Sequence, residues 1–197
     1  MKLSKITLLA ASAFVLSMAV SNAASFIISN VVVGPGDTLY AGSNAAPMNG
    51  GIVTIGYFPA GIGASDINSI ERLMANIGSF TVVTSAIPGQ DTLGISSPGY
   101  AVQEEGTDIG TVTGTNPLIG RSIYSIVTDA SDLASATMQS AFALVQVGTI
   151  MDDTPVPQSY SSNPTGAVPL IGEIGAIANG STALGDGPYL TLQTVAV

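Results

Sequence analysis

Short apolar runs rich in Val, Ile, Thr, Tyr and Phe recur along the chain, each closed off by Gly, Pro, Asn or Ser. Runs of this kind between turn residues read as β-strands. The pattern predicts strands at 25–33, 51–58, 79–85, 121–128, 140–148, 168–177 and 188–196. In the 140–148 run, Phe142 and Leu144, followed by Gln146, fall on one face, and Ala143, Val145 and Val147 on the other. Apolar residues on both faces mark a strand covered on both sides, central in a sandwich. One segment changes period. Ile67, Ile70, Leu73, Met74 and Ile77 recur at spacings of three and four, the stripe of a helix lying on a sheet. Ser65 is the expected N-cap, Asp66 suits the first turn and Gly78 the stop. The stretch 129–138 is ambiguous between a helical turn and a loop, and 86–120 and 152–169 are rich in loop residues. The expected fold is mainly β, an antiparallel, jelly-roll-like β-sandwich with one short helix packed on a sheet.

The start of the chain breaks this pattern. Lys2 and Lys5 precede an apolar run from Ile6 to Val20, and small residues follow at Ser21 and Ala23. That is the layout of a bacterial-type secretory signal peptide cut after Ala23. The apolar run is short and rich in Ala and Ser, which favours a cleaved leader over a membrane anchor. The expected organisation is a signal peptide at 1–23 and one β-sandwich domain at 24–197, exported to the cell surface, the extracellular space or the periplasm.

Composition then narrows the chemistry. The chain has 4 Lys and Arg against 13 Asp and Glu, a net charge of −9. Beyond the leader only Arg72 and Arg121 remain, two cations against thirteen acids, a difference of −11. No basic patch for nucleic acid can be built from two arginines. Charged residues are 9% of the chain and apolar ones 46%, the reverse of a disordered chain. There is no Cys, His or Trp. Their absence removes thiol and imidazole chemistry, the usual zinc ligands and the Ser-His pair.

Several segments in order have a familiar look. These are Gly50-Gly51-Ile52-Val53-Thr54-Ile55-Gly56-Tyr57-Phe58, the helix from Ser65, Phe80, the Gly120-to-Asp129 strand with Ile123-Tyr124, and Phe142-Ala143-Leu144-Val145. Over roughly residues 25–160 the chain resembles small secreted β-rich proteins of bacteria that use the PEP-CTERM/exosortase sorting system. The resemblance implies a surface or matrix protein and carries no functional residues over. Members of that group end in a Pro-Glu-Pro box, an apolar span and a basic tail, whereas this sequence ends Leu190-Thr-Leu-Gln-Thr-Val-Ala-Val. A soluble or assembled form is therefore expected rather than an anchored one.

Candidate sites rest on carboxylates and tyrosines. Asp129 and Asp132 flank a turn, Asp152 and Asp153 are adjacent, and Glu104, Glu105 and Asp108 share a loop. Acidic loops of exported β-proteins can hold calcium through hard oxygen ligands, but none of these has an ordered ligand spacing, and Asp favours turns in any case. Calcium is thus the one cofactor considered, with Asp129, Asp132, Asp152 and Asp153 as its candidate ligands. Tyr100 and Tyr160 fall in predicted loops and are candidates for contact with a partner such as a glycan, whereas Tyr57 and Tyr124 fall in strands and suit packing. Arg121 is expected to pair with a carboxylate. A two-carboxylate glycosidase lacks any Trp to stack on sugars, and Gly94-Ile95-Ser96-Ser97-Pro98 fails the serine-hydrolase elbow. Asn179-Gly180-Ser181 reads as a turn.

The expected function is a non-enzymatic structural or interaction protein of the cell surface or matrix. A carbohydrate- or calcium-dependent binding module is the alternative, and a carboxylate-based hydrolase the third. Two uncharged, Pro-free runs, 26–33 and 190–197, must be interior or pair with another chain as added strands. For the second run, strand addition predicts that removing 191–197 leaves a folded monomer that self-associates less.

Overall fold

The computed structural model describes residues 23–28, 39–90, 98–103, 106–162, 167–176 and 188–195. Residues 1–22 of the expected leader lie outside these, as do 29–33, 94–97, Glu104, Glu105, Asn179-Gly180-Ser181 and Gly185-Asp186-Gly187.

A five-stranded antiparallel sheet forms the middle of the fold, built from β3 (Ile52–Tyr57), β4 (Thr81–Ala86), β6 (Ser122–Thr128), β7 (Phe142–Thr149) and β9 (Pro169–Ile171) in the order β4-β3-β6-β7-β9. Two three-stranded sheets accompany it. One is β5 (Thr107–Asp108), β1 (Ser25–Ile27) and β8 (Ser159–Ser161), with β1 central; the other is β10 (Glu173–Ala176), β11 (Pro188–Thr191) and β2 (Leu39–Ala41), with β11 central. In the small sheets β1–β8 and β11–β2 run parallel, which fits strands brought together from distant parts of the chain.

Alternation along the central strands explains the layering. Val53, Ile55, Ile123, Val127, Ala143 and Val145 point to one side, where they pack with Phe26, Ile28, Tyr40, Tyr160, Leu190 and Leu192 of the small sheets and their ends. Tyr124, Ile126, Phe142 and Leu144 point to the other side and meet Phe58, Ile67, Ile70, Leu73 and Phe80. The two-faced reading of the 140–148 run holds: β7 pairs with both β6 and β9 and is apolar on both faces.

The helical stripe holds too, but its start is displaced. Ser65 and Asp66 lie in a 3₁₀ turn (Ala64–Asp66), closed by Asp66 Oδ2 accepting the Gly63 N–H at 2.9 Å. The α-helix α1 runs Ile70–Asn76, and its N-cap is Ser69, whose Oγ accepts the Arg72 N–H at 3.3 Å. Glu71 then occupies the first turn, where the helix dipole favours a carboxylate. Gly78 sits inside a second 3₁₀ turn (Ile77–Ser79). The helix covers one face of the central sheet through Ile70 and Leu73.

Two glycines shape the architecture. The 168–177 run is not one strand: Gly172, at φ +92°, turns the chain from β9 in the central sheet to β10 in a small one. It is the corner at which the chain changes layer. Gly56 lies at the bulge between β3 and β4, where the Thr81 carbonyl passes too close for any side chain.

The described parts of the terminal runs lie within their sheets. β1 and β11 are the middle strands of their sheets, and Phe26, Ile28, Leu190 and Leu192 are all buried. Leu192 N–H donates to the Ala41 carbonyl, and Gln193 and Phe142 exchange both backbone hydrogen bonds. The described parts of both runs are therefore core structure and offer no free edge to another chain. No helix among the described residues is long and apolar enough to cross a membrane.

Candidate functional site

Each of the four candidate calcium ligands closes a loop. Asp129 Oδ1 accepts the Ala141 N–H at 2.9 Å, which ties off the 130–140 connection between β6 and β7. Asp132 Oδ1 accepts the Ser135 N–H at 2.7 Å, so 129–138 is a set of turns and not a helix. Asp152 uses both oxygens, Oδ2 for Gly114 N–H at 3.0 Å and Oδ1 for Thr154 N–H at 2.9 Å. Asp153 is buried and also uses both, Oδ2 for Val112 N–H at 2.8 Å and Oδ1 for Gln158 N–H at 3.3 Å. Its own N–H returns to the Val112 carbonyl at 2.8 Å. Hydrogen bonding to backbone amides holds the Asp132 and Asp152 carboxyls below their ordinary range. Among the described residues no three carboxylates gather where they could hold a metal ion.

The two contact candidates are buried. Tyr100 lies with Ala41, Val102 and Tyr189, and Tyr160 packs on Phe26 at 5.2 Å between ring centres. Tyr160 Oη accepts the Met151 N–H at 2.9 Å. Desolvation pushes its phenol up. Loop composition places a tyrosine in the sequence but not its ring, and here each ring fills core space. Tyr124 is buried against Phe58, in keeping with the packing role expected of it.

Among the described residues Arg121 meets no carboxylate of the kind expected of it. Its Nε donates to the Pro117 carbonyl at 3.0 Å and its Nη1 to the Phe58 carbonyl at 3.3 Å, and the guanidinium lies 5.8 Å from the Tyr57 ring centre. Arg72 behaves alike: Nη1 donates to the Ser65 carbonyl at 2.5 Å and to Asn68 Oδ1 at 3.2 Å. Among the described residues, every acceptor these two arginines reach is a neutral oxygen.

The arginines also line neighbouring grooves. One, of about 630 Å³, is bounded by Ser65, Asp66, Arg72 and Asn76. The other, of about 310 Å³, is bounded by Phe58, Pro117, Arg121 and Ser122. Gly61 and Ile62 belong to both, so the two grooves adjoin. The sequence pattern gives Arg72 no role in a site. The usable signal was scarcity, since Arg72 and Arg121 are the only cations beyond Lys5. Comparison of the chain with protein-family models, with curated proteins and with solved structures finds no match.

Proposed function

We propose that the protein is an exported, non-enzymatic structural or interaction protein of the cell surface or extracellular matrix. The observation that carries this reading is the use of the carboxylates. In a chain without His or Cys they are the main candidates for acid–base work, yet Asp66, Asp129, Asp132, Asp152 and Asp153 all bind backbone amides, of their own loops or, for Asp152 and Asp153, also of the 112–114 segment. A carboxylate tied in this way braces a loop, whereas a catalytic pair faces its partner across a cleft. The leader-like start of the sequence and the resemblance to secreted proteins of PEP-CTERM bacteria support the same reading. Self-association belongs to it as well. Among the described edge strands, β4 is uncharged and Pro-free, with Val82 exposed, and suits strand addition.

Fractionating the producing cells and measuring the intact mass tests the proposal. The expected result is protein outside the cytoplasm with a mass that begins at Ala24 or Ser25. Protein that keeps Met1 and stays in the cytoplasm overturns it. A binding module is the second reading, favoured by the adjoining arginine grooves. Its calcium-dependent form requires calcium to raise the melting temperature.

A further inference from the structure

From the setting of Arg72 and Arg121 we infer a binding site for an acidic oligosaccharide, with uronate carboxylates as the recognised groups. The inference rests on the extracellular reading above only for where such a ligand would be met. With thirteen carboxylates available, ion pairing would be the ordinary fate of two arginines. Among the described residues both instead lean on neutral oxygens, which fix the plane of the guanidinium without an ion pair. Nη2 of each, and Nε of Arg72, donate to nothing among the described residues. A guanidinium braced from behind with donors to spare is prepared for a carboxylate in front.

The lining between the arginines selects the carrier of that carboxylate. Ser65 and Ser122 offer hydroxyls and Asn76 its amide oxygen, its Nδ2 being given to the Asp66 and Arg72 carbonyls, and Ile62, Pro59 and Pro117 offer apolar surface for the C–H faces of sugar rings. Among the described residues no strand edge runs along the larger groove, which lies between the 61–66 turn and α1, so an extended peptide finds no backbone ladder among them. Two acids lie close by. Asp66 turns one oxygen onto Gly63 N–H, and Glu71 is held low by bonds to its own amide and to Ser69. Their charge, with the −11 of the chain beyond the expected leader (two cations against thirteen acids), favours a short ligand over a long polyanion.

The test uses the chain from residue 24 onward, with trigalacturonate as probe and maltotriose and citrate as controls, read by amide chemical shifts and calorimetry. Trigalacturonate should bind and maltotriose should not. Shifts should centre on Gly61, Ile62 and Ser122. Arg72→Gln should weaken binding about tenfold with the melting temperature unchanged, and Arg72→Lys by less. Arg121→Gln also releases the part-buried Phe58 carbonyl, whereas both acceptors of Arg72 are exposed and water can replace the guanidinium there, so Arg72→Gln is the deciding variant. The proposal fails if trigalacturonate does not bind at millimolar concentration, if maltotriose or citrate binds as well, or if Arg72→Gln binds like the parent. Any of these in a protein located outside the cell sinks the glycan site and leaves the extracellular reading standing.

Discussion

Ser125 sits in the middle of β6, fully buried, between Ile55 and Val145 on the neighbouring strands. Its hydroxyl has no hydrogen-bond partner among the described residues. A buried hydroxyl left unmet costs free energy that an apolar group of similar size does not. Ser125→Ala is therefore expected to stabilise the fold by about 1 kcal/mol, read as a higher urea midpoint at unchanged slope. A lower midpoint would mean that the hydroxyl has found a partner. Asp153 is the opposite case. It is 4% exposed and satisfies the Val112 and Gln158 amides at once. Asp153→Ala leaves the buried Val112 amide and the half-buried Gln158 amide without their acceptor and should cost roughly 3 kcal/mol by the same measurement. Asp152 makes two similar bonds at the surface, and Asp152→Ala should cost far less, because water replaces the lost carboxylate. The pair tests whether burial, rather than bond count, sets the worth of these acids. From the sequence the two looked alike, two adjacent acids before a proline-rich stretch. Which one would be buried depends on residues near 112, some forty positions away, and no local pattern carries that.

At the level of elements, the helix shows how a correct period can come with a wrong boundary. The stripe Ile67, Ile70, Leu73, Met74 and Ile77 faces the core, as its spacing requires. Two serines compete to start it, however. Ser65 opens a short 3₁₀ turn, and Ser69 caps the α-helix itself. Ser69→Ala should cost about 1 kcal/mol in thermal or urea unfolding. Ser65→Ala should cost no more than about a few tenths, since the groove-facing residue lends only its carbonyl, to Arg72. Equal losses would show that the 3₁₀ turn and the helix form one capped unit. Proline at 66, which a helix start at 65 would have tolerated, is now expected to destabilise, because Asp66 N–H bonds the Gly63 carbonyl at 3.0 Å. The strands show the complementary limit. All four longer strands, β3, β4, β6 and β7, were legible from β-branched and aromatic runs between turn residues. The brief strands β2, β5 and β8 were not, because two or three residues cannot establish a period. Gly172 was visible as a glycine in a strand, but its left-handed turn between layers depends on the sheets it joins. The C-terminal run was read as interior or added strand, and pairing of β11 with both β10 and β2 selects the first. Deleting 191–197 removes Leu192 from the core and the Gln193 bridge to Phe142. The truncated chain should lose cooperative unfolding and its tyrosine near-ultraviolet circular dichroism. A truncated chain that keeps both would show that the small sheets stand without it.

Across the whole molecule, the missing residue types govern the response to pH. With no His and no Cys, no side chain ordinarily changes charge between about pH 5 and 9. Stability should be flat over that range, and it should fall on each side for a different reason. On the acid side, backbone hydrogen bonds hold the Asp132, Asp152 and Glu71 carboxyls low in the folded chain. The unfolded chain then binds protons first, so the contribution is complete above the ordinary carboxyl range and disappears as the pH falls through the depressed folded values. On the alkaline side the group is tyrosine. Burial pushes Tyr40, bonded to Ser162 Oγ at 3.1 Å, up to about 12, and desolvation raises Tyr124 and Tyr160 as well. Here the unfolded chain releases protons first, from about pH 10, so the contribution is complete below that pH and is lost as the pH climbs toward the folded value. These phenols bind the layers together: Tyr40 and Tyr160 lie between the central sheet and the small sheets, and Tyr124 faces the helix. Alkaline unfolding should therefore be cooperative. Melting temperature measured across the pH range should form a plateau with an acid shoulder below about pH 4 and a steep loss above about pH 10. Tyrosinate absorbance should rise together with that loss and not ahead of it. If instead the phenols near the core ionise while circular dichroism stays native, water reaches them in the folded state. The space between the layers would then be wetter than its packing of Phe26, Ile55, Val145 and Leu190 implies.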